Sequence, residues 1–213
     1  MNKRSLFVVV PDLDAENVVK TLLLKRQNAL NIQVDFIADS HPNGDLMRYA
    51  KRDSGCYKDA VNLLRPPQRT HNHAMIIFDR DGCGAESQTR DEIELEIESQ
   101  LHANGWSKDR VAVVVIEPEL EAWIWAPTPR VSSQLGWESV EAMRSFLKSK
   151  RLWDANAPKP RNPKEAMKLA MREKRQTLSA RVFEGLATSV GLTNCQDVSF
   201  LKFRDTLQRW FPR

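Results

Sequence analysis

The hydrophobic positions of the chain form short apolar runs, separated by segments with helical spacing. The runs Leu6–Val10, Ala74–Phe78 and Val111–Ile116 consist almost entirely of aliphatic and aromatic side chains. Such runs are typical of strands that are buried on both faces of a parallel sheet. Residues 32–38 alternate between apolar and polar side chains, which predicts a further strand, second in chain order. The pattern therefore predicts four strands before residue 117.

Between these strands, apolar residues recur at the spacing of one helix face. Asp12 or Asp14 can cap the first helix, and Gly105 can close the last. Strands that alternate with helices predict an α/β fold with a mainly parallel sheet sandwiched by helices. The predicted helices span residues 14–26, 45–64 with an interruption at 53–56, and 86–104.

Beyond residue 127 the pattern contains only helices. Asn162 is placed to cap one of them, because Pro163 suits the first helical position. The sequence therefore predicts an α/β domain over residues 1–127 and a helical extension over 128–213 that packs on it. The helices predicted in this extension span residues 137–147, 163–174, 179–190 and 197–210.

Composition narrows the class of protein. Of the 213 residues, 41% are hydrophobic and 28% are charged, as in an ordinary globular domain. No apolar run approaches the roughly 20 residues of a membrane-spanning helix, so no membrane partner is expected. The apolar run after the basic N-terminus is cut short at Pro11, which favours a strand over a signal peptide. Three widely spaced cysteines suggest no disulfide framework, and a cytoplasmic location is expected.

The net charge of +4 is unevenly distributed. Twelve Lys or Arg residues and three Asp or Glu residues lie between Arg144 and Arg181, whereas residues 86–98 are acidic. The basic segment predicts a face that attracts phosphates, with Lys159, Arg161 and Lys164 as candidate nucleic-acid contacts. A solvated helix face with no ligand would show the same charges.

Carboxylates follow three of the four predicted strands as clusters. In a parallel sheet the carboxyl ends of all strands lie at one edge, where open α/β folds bind their ligands. Gathered carboxylates repel one another unless a cation neutralises them, and hard cations such as Mg²⁺ prefer oxygen ligands. The candidate metal ligands are Asp12, Asp79, Asp81, Glu119 and Glu121, with Asp14, Glu16, Asp39 and Glu117 nearby in sequence.

Each of these acidic clusters also has a purely structural interpretation. Asp79-Arg-Asp81-Gly82 is also a strand followed by an ordinary turn, and acids after the fourth strand also suit a helix start. The same motif resembles the opening motif of haloacid-dehalogenase-type phosphatases, although that motif normally lies on the first strand of its domain and not on the third.

The acidic first loop, the strand that ends in Asp79-Arg-Asp81 and the Pro118-x-x-Glu121-x-Trp123 motif together carry a family resemblance. The chain resembles TOPRIM-like proteins of bacterial phage-defence systems, including RloB-like and overcoming-lysogenisation-defect nucleases. It is similar above all to small TOPRIM-like components of methylation-associated systems. The likeness covers residues 6 to about 126, and the Lys-Pro-x-x-Pro-Lys stretch at 159–164 adds to it.

The resemblance implies an Mg²⁺- or Mn²⁺-dependent nuclease that acts with other defence proteins, such as an ATPase. Asp79 and Asp81 match the Asp-x-Asp motif of the family, and Glu121 matches the later glutamate. The first loop departs from the pattern, because Pro11-Asp12 stands where the family usually has Glu-Gly. Either Asp12 substitutes there with a shorter carboxylate, or Asp14 and Glu16 reach in from the start of the helix. With Asp12 as ligand or general base, Asp12, Asp79, Asp81 and Glu121 are the expected catalytic residues. An inactive TOPRIM-like adaptor subunit is the alternative, and the sequence leaves open whether the chain forms a homo-oligomer.

Overall fold

The computed structural model of the chain describes residues 3–39, 41–125, 128–154, 157, 159–192 and 195–213. Its described strands form one sheet with the order β2-β1-β3-β4, and every neighbouring pair is parallel. The protein is therefore α/β with an all-parallel four-stranded sheet. The strands are β1 (Arg4–Val10), β2 (Leu46–Arg48), β3 (His71–Asp79) and β4 (Val111–Ile116).

Helices occupy most of the remaining described chain. The first half contains α1 (Leu13–Lys25), α2 (Gln27–Leu30), α3 (Arg52–Leu64), a 3₁₀ turn at Pro66–Arg69 and α4 (Arg90–Ala103). The second half contains α5 (Glu121–Ile124), α6 (Pro129–Gln134), α7 (Val140–Ser149), α8 (Pro163–Glu173), α9 (Ala180–Ser189) and α10 (Val198–Trp210).

Each face of the sheet is covered by its own apolar cluster, because successive side chains of a strand point to opposite faces. On β1, Phe7 and Val9 pack with α3 and α4, whereas Leu6, Val8 and Val10 pack with α1 and the later helices. The second cluster runs without a break from the sheet into α6 to α10. The C-terminal helices thus share a core with one face of the sheet.

Polar contacts also join the two halves of the chain. The guanidinium of Arg26, at the end of α1, donates to the carbonyl oxygens of Ala187, Thr188 and Val190 at the end of α9. These carbonyls would otherwise lack helical partners, since the last turn of a helix leaves its C=O groups free. Arg26 therefore fixes α9 against α1, and α9 in turn reaches the carboxyl edge of the sheet.

The strand predicted over residues 32–38 is wrong. Among the described residues this segment contains only an isolated bridge between Ile32 and Pro212. Its alternating apolar side chains are buried, but its backbone bonds partly to side chains: Gln27 accepts from the Val34 N–H, and Asp45 accepts from the Ile37 N–H. The Gln33 N–H donates to the Phe211 carbonyl near the C-terminus. The second strand is the short β2 that follows, so Asp39 lies at no strand end.

The helix predicted over residues 45–64 is wrong at its start, because residues 46–48 form β2 and α3 begins only at Arg52. The interruption predicted at residues 53–56 is also wrong, because α3 runs through them. Gly55 does not form a turn; its lack of a side chain lets neighbouring side chains approach the helix closely. A Cβ at this position would lie 2.3 Å from the Lys51 Cβ and 2.8 Å from a ring carbon of Tyr49. Glycine is therefore the residue that lets the helix pass under the Tyr49 ring.

The predicted helix caps are confirmed. The Asp12 carboxylate accepts from the Ala15 N–H at 2.9 Å, and the Asn162 side chain accepts from the Glu165 N–H at 3.0 Å. Both contacts satisfy an N–H group of the first helical turn, which has no partner within the helix. They also hold Asp12 and the start of α8 at the carboxyl edge of the sheet.

Two glutamates of α4 hydrogen-bond to the outer edge of β4. Glu94 accepts from the Val115 N–H at 2.9 Å, and Glu98 accepts from the Val113 N–H at 3.1 Å. Lys202 of α10 donates to both carboxylates. The free edge of the sheet is thus bonded to side chains and not to a fifth strand.

None of the helices in the described parts of the chain combines the length and the apolar character needed to cross a membrane.

Candidate functional site

Four carboxylates and one ammonium group line a small cavity at the carboxyl edge of the sheet. They belong to Asp12, Asp14, Asp79, Glu121 and Lys164, and the volume of the cavity is about 30 Å³. Apolar parts of Pro11, Ala15, Leu120 and Phe183 close it. A water needs roughly 10–15 Å³ measured in this way, so this acidic cavity accommodates one or two water-sized species.

The topology explains why these residues meet. Asp12 follows β1, Asp79 ends β3, and Glu121 begins α5, shortly after β4. Since the three strands are parallel neighbours, their carboxyl ends lie side by side. Lys164 comes from the first turn of α8, so the C-terminal helices supply the only cation that lines the acidic cavity among the described residues.

Asp79 lies at the centre of the negative charge. Burial raises the pKa of its carboxyl well above the usual value, and the negative charges of Asp53 and Glu121 raise it further. Lys164 acts in the opposite direction, but its single charge does not cancel the effect. The site therefore favours either a proton or an added cation on this group.

Glu121 is buried, with 2% of its surface exposed. Burial raises the pKa of its carboxyl from 4.5 to about 7, against the opposing effects of its own backbone hydrogen bond and of Lys164. The short helix α5 packs against α8 and α9, and its Trp123 donates to the Ser199 hydroxyl of α10. This packing fixes Glu121 at the cavity.

Lys164 is paired inside the site. Its Nζ lies 2.5 Å from Glu119 Oε1, and the neighbouring negative charges raise its pKa although burial alone would lower it. Lys164 therefore acts as a partly buried counterion to the acidic cavity. Glu119 reaches the site through this pair and does not itself line the cavity.

Asp81 lies on the turn that follows β3, two residues after Asp79. Gly82 and Gly84 both have φ of +86°, and the Glu86 carboxylate accepts from both of their N–H groups. Asp81 is exposed on this turn and does not line the acidic cavity. Burial raises the pKa of its carboxyl, as does the negative charge of Glu119.

The two other basic residues expected to contact nucleic acid lie outside the acidic cavity. Lys159 donates to the Ala122 carbonyl and lies 3.8 Å from an oxygen of Asp197, so it ties α5 to the start of α10. Arg161 is exposed and pairs with Asp154 at 2.8 Å. The structure therefore does not bring Lys159, Arg161 and Lys164 together as one basic surface.

Asp53 is a site residue that the sequence pattern did not indicate. It lies in the first turn of α3, and its carboxylate accepts from the Asp79 N–H at 2.9 Å. Burial raises its pKa, as does the charge of Asp12. The only sequence signal was a position just after an irregular segment, and the predicted helix interruption at 53–56 concealed it.

We expect Asp53→Ala to lower the free energy of unfolding by about 1–3 kcal/mol, because the Asp79 N–H loses its acceptor in a half-buried place. Asp53→Asn keeps an oxygen acceptor and removes a negative charge beside Asp79. Its stability should equal or exceed that of the unmodified protein. Urea denaturation of the two variants measures the difference, and equal losses would contradict the role assigned to the hydrogen bond.

The donor atoms of the acidic cavity fit Mg²⁺ or Mn²⁺ in their chemistry, since all four acids offer carboxylate oxygens. Within the described residues, no group of three or more His, Cys, Asp or Glu side chains is arranged to hold a metal ion by itself. Mg²⁺ commonly takes only one or two carboxylates and keeps several waters. Asp79 and Glu121, with Asp12 beside them, are the residues that would hold it.

A larger groove adjoins the acidic cavity. Its volume is about 400 Å³, and Pro11, Asp12 and Asp14 line both spaces. Its other lining residues are Leu13, Arg48, Tyr49, Ala50 and Arg52, and we call it the arginine groove.

Comparison with known proteins adds no relative to this description: no protein-family model, no curated protein and no solved structure matches the chain.

Proposed function

We propose that the chain is a divalent-metal-dependent, TOPRIM-like nuclease that hydrolyses phosphodiester bonds as part of a phage-defence system. The observation that carries the proposal is the meeting of Asp12, Asp14, Asp79 and Glu121 in one small cavity at the carboxyl edge of a parallel sheet. Four acids with one internal counterion leave negative charge that a divalent cation would neutralise. The resemblance of the motifs to TOPRIM-like nucleases supports the same activity.

A bound Mg²⁺ or Mn²⁺ would polarise the phosphoryl group and lower the pKa of a water. The residues of the chain supply the remaining requirements. Asp79 and Glu121 provide buried carboxylates whose charge is poorly solvated, so a cation gains more there than in water. Lys164 contributes a positive charge next to the position where negative charge develops on the phosphoryl oxygens.

Asp12 is suited to accept the proton of the attacking water. Its Oδ1 is engaged by the Ala15 N–H, which orients the carboxylate, and no described residue hydrogen-bonds to Oδ2. A general base must be held in place and still have a free lone pair toward the water. Asp12 meets both conditions although it is shorter than the glutamate usual at this position in the family.

The proposal predicts that Mn²⁺ stabilises the protein and switches on cleavage. At a concentration about a hundredfold above Kd, a ligand that binds only the folded state adds about 2.7 kcal/mol. For a chain of this size, Tm should then rise by about 5–10 °C. A thermal melt with and without Mn²⁺, followed by incubation with labelled DNA and RNA strands, tests both effects.

Chelation with EDTA should reverse the rise in Tm and stop the cleavage. A melt that Mn²⁺ and Mg²⁺ leave unchanged, together with intact nucleic acid, would overturn the nuclease proposal and favour the adaptor. Stabilisation by metal, with hydrolysis of phosphomonoesters and not of strands, would instead favour a phosphatase.

A further inference from the structure

The acidic cavity is too small for a substrate. With about 30 Å³ it holds a cation or a water, and not a sugar or a base. The rest of any substrate must lie outside it, in a space that opens onto the same carboxylates. The arginine groove meets this requirement, because Asp12 and Asp14 line both spaces and the groove has about 400 Å³, within the roughly 300–1,000 Å³ of ordinary ligand sites.

The arginine groove is lined by both acidic and basic side chains. Asp12 and Asp14 line the groove and the acidic cavity, whereas Arg48, the last residue of β2, and Arg52, the first residue of α3, line the groove alone. A group of two adjacent phosphates fits this arrangement, with one phosphate next to the shared carboxylates and the next at the arginines. Guanidinium groups bind phosphate oxygens through paired N–H donors.

Arg52 is the freer of the two arginines. Arg48 lies 3.3 Å from a Glu16 oxygen, whereas the exposed side chain of Arg52 forms no ion pair with any described residue. The backbone of Arg52 has φ of +55°, a conformation that residues other than glycine seldom adopt. Arg52 begins α3 and lines the groove.

The backbone beneath the two arginines is held firmly. The Tyr49 N–H donates to the Val10 carbonyl of β1, and the Tyr49 hydroxyl donates to Asp59 at 2.7 Å. The Arg52 N–H donates back to the Tyr49 carbonyl. Arg48 and Arg52 are therefore mounted on a segment that is bonded to the same strand that carries Asp12.

We propose that the arginine groove binds the sugar-phosphate backbone of a nucleic-acid strand, with Arg52 on the phosphate next to the one that faces the acidic cavity. This inference rests on the proposed function, since it takes the strand to be the substrate. Arg48 lies beside Arg52 as the second positive charge, and the phosphate replaces Glu16 as its partner.

The experiment measures binding without metal, so that it does not depend on catalysis. Fluorescence anisotropy of a labelled single-stranded oligodeoxythymidylate is followed in EDTA for the unmodified protein, Arg52→Gln and Arg69→Gln. Arg69 is an exposed arginine of the 3₁₀ turn before β3, at the opposite edge of the sheet, and serves as the matched control.

Arg52→Gln should weaken binding about tenfold, the loss expected for one charged hydrogen bond. The slope of log Kd against log salt should fall by about 0.7 for the lost phosphate contact. Arg69→Gln should leave both the affinity and the salt slope unchanged. Arg52→Lys should restore most of the affinity that Arg52→Gln loses. Equal affinity for Arg52→Gln and Arg69→Gln, or no binding by the unmodified protein at low salt, would overturn the proposal.

Arg52→Gly separates binding from folding, because glycine adopts the left-handed backbone at residue 52 without strain. It should bind as weakly as Arg52→Gln while its Tm stays at or above that of the unmodified protein. Competition by thymidine monophosphate as strong as by the oligonucleotide would identify a nucleotide site and overturn the strand proposal.

The outcome is distinguishable from a failure of the nuclease proposal. If Mn²⁺ neither stabilises the protein nor supports cleavage while Arg52→Gln still weakens strand binding, the groove proposal is supported and the nuclease proposal fails. If metal-dependent cleavage is present and Arg52 does not affect binding or the salt slope, the strand follows another path and the groove proposal fails.

Discussion

Asp79→Asn should abolish metal-dependent cleavage and remove the rise in Tm that Mn²⁺ produces. The substitution keeps the size of the side chain and removes one negative charge from the centre of the acidic cavity. Residues that only orient a metal ligand contribute about 10- to 100-fold to metal affinity or activity, so loss of a direct ligand should exceed about 100-fold. The same change relieves repulsion with Asp53 and Glu121. The metal-free variant should therefore melt at a higher temperature than the unmodified protein.

Two aspartates provide controls for this result. Asp35→Asn makes the same chemical change at an exposed residue that lines neither the acidic cavity nor the arginine groove, and should leave cleavage and Tm unaltered. Asp81→Asn should cost much less activity than Asp79→Asn, because Asp81 lies on the exposed turn. Activity retained in Asp79→Asn, or lost equally in Asp35→Asn, would remove Asp79 from the mechanism.

Glu121→Gln should make the metal-free protein more stable near neutral pH and flatten its response to pH. The pKa of Glu121 is about 7 in the folded protein, against an ordinary value of 4.5. Between these two values the unfolded chain releases the proton and the folded protein keeps it. The free energy of unfolding therefore falls as pH rises from about 4.5 to about 7, by roughly 3 kcal/mol from this group alone.

Glutamine does not titrate, so the free energy of unfolding of the variant lacks the fall that Glu121 causes. We expect it to exceed the unmodified protein by about 2–3 kcal/mol at about pH 8, and by little at about pH 5. Burial also raises the pKa of Asp79 and Asp53. The free energy of unfolding of the variant should therefore still fall as pH rises, but less steeply than that of the unmodified protein. Urea denaturation across this pH range gives the comparison.

Glu138→Gln is the matched control, since Glu138 is exposed and lies outside both spaces. It should leave the pH dependence as it is. Mn²⁺ should reverse the advantage of Glu121→Gln, because only the unmodified protein offers the cation a carboxylate at this position. A variant that is less stable than the unmodified protein at about pH 8 would show that Glu121 is stabilised as an anion by the fold.

The strands that are buried on both faces could be predicted from the sequence, because continuous apolar runs of this length are stable only in the interior. The predictions at Leu6–Val10, Ala74–Phe78 and Val111–Ile116 are confirmed by β1, β3 and β4. β2 could not be predicted in this way. It is an edge strand of three residues, Leu-Met-Arg, and only its first side chain is buried.

Residues 32–38 show why alternation alone was misleading. Ile32, Val34 and Phe36 do face the core, as a strand would require, but Gln27 and Asp45 take the backbone hydrogen bonds. Residues distant in sequence decide which groups hydrogen-bond to the backbone of a segment, and a local pattern does not contain that information.

The candidate site was predictable as far as it depends on strand ends. Asp12, Asp79 and Glu121 meet because parallel strands carry them to one edge, and the alternation of strands with helices predicted a mainly parallel sheet. Asp53 and the pairing of Lys164 with Glu119 could not be foreseen, since each depends on where a helix docks. Helical spacing predicts α3 and α8 themselves, but their docking is settled only by packing against the sheet.

The glutamates along β4 bear on how this protein associates with others. An unprotected outer strand offers its N–H groups to any passing extended chain, and many sheets grow or aggregate in this way. Here Glu94 and Glu98 already accept those N–H groups, and Lys202 holds both acids in place. A second copy or a partner that docks on this side must therefore recognise helix surfaces, because the N–H groups of Val113 and Val115 are not available to an added strand.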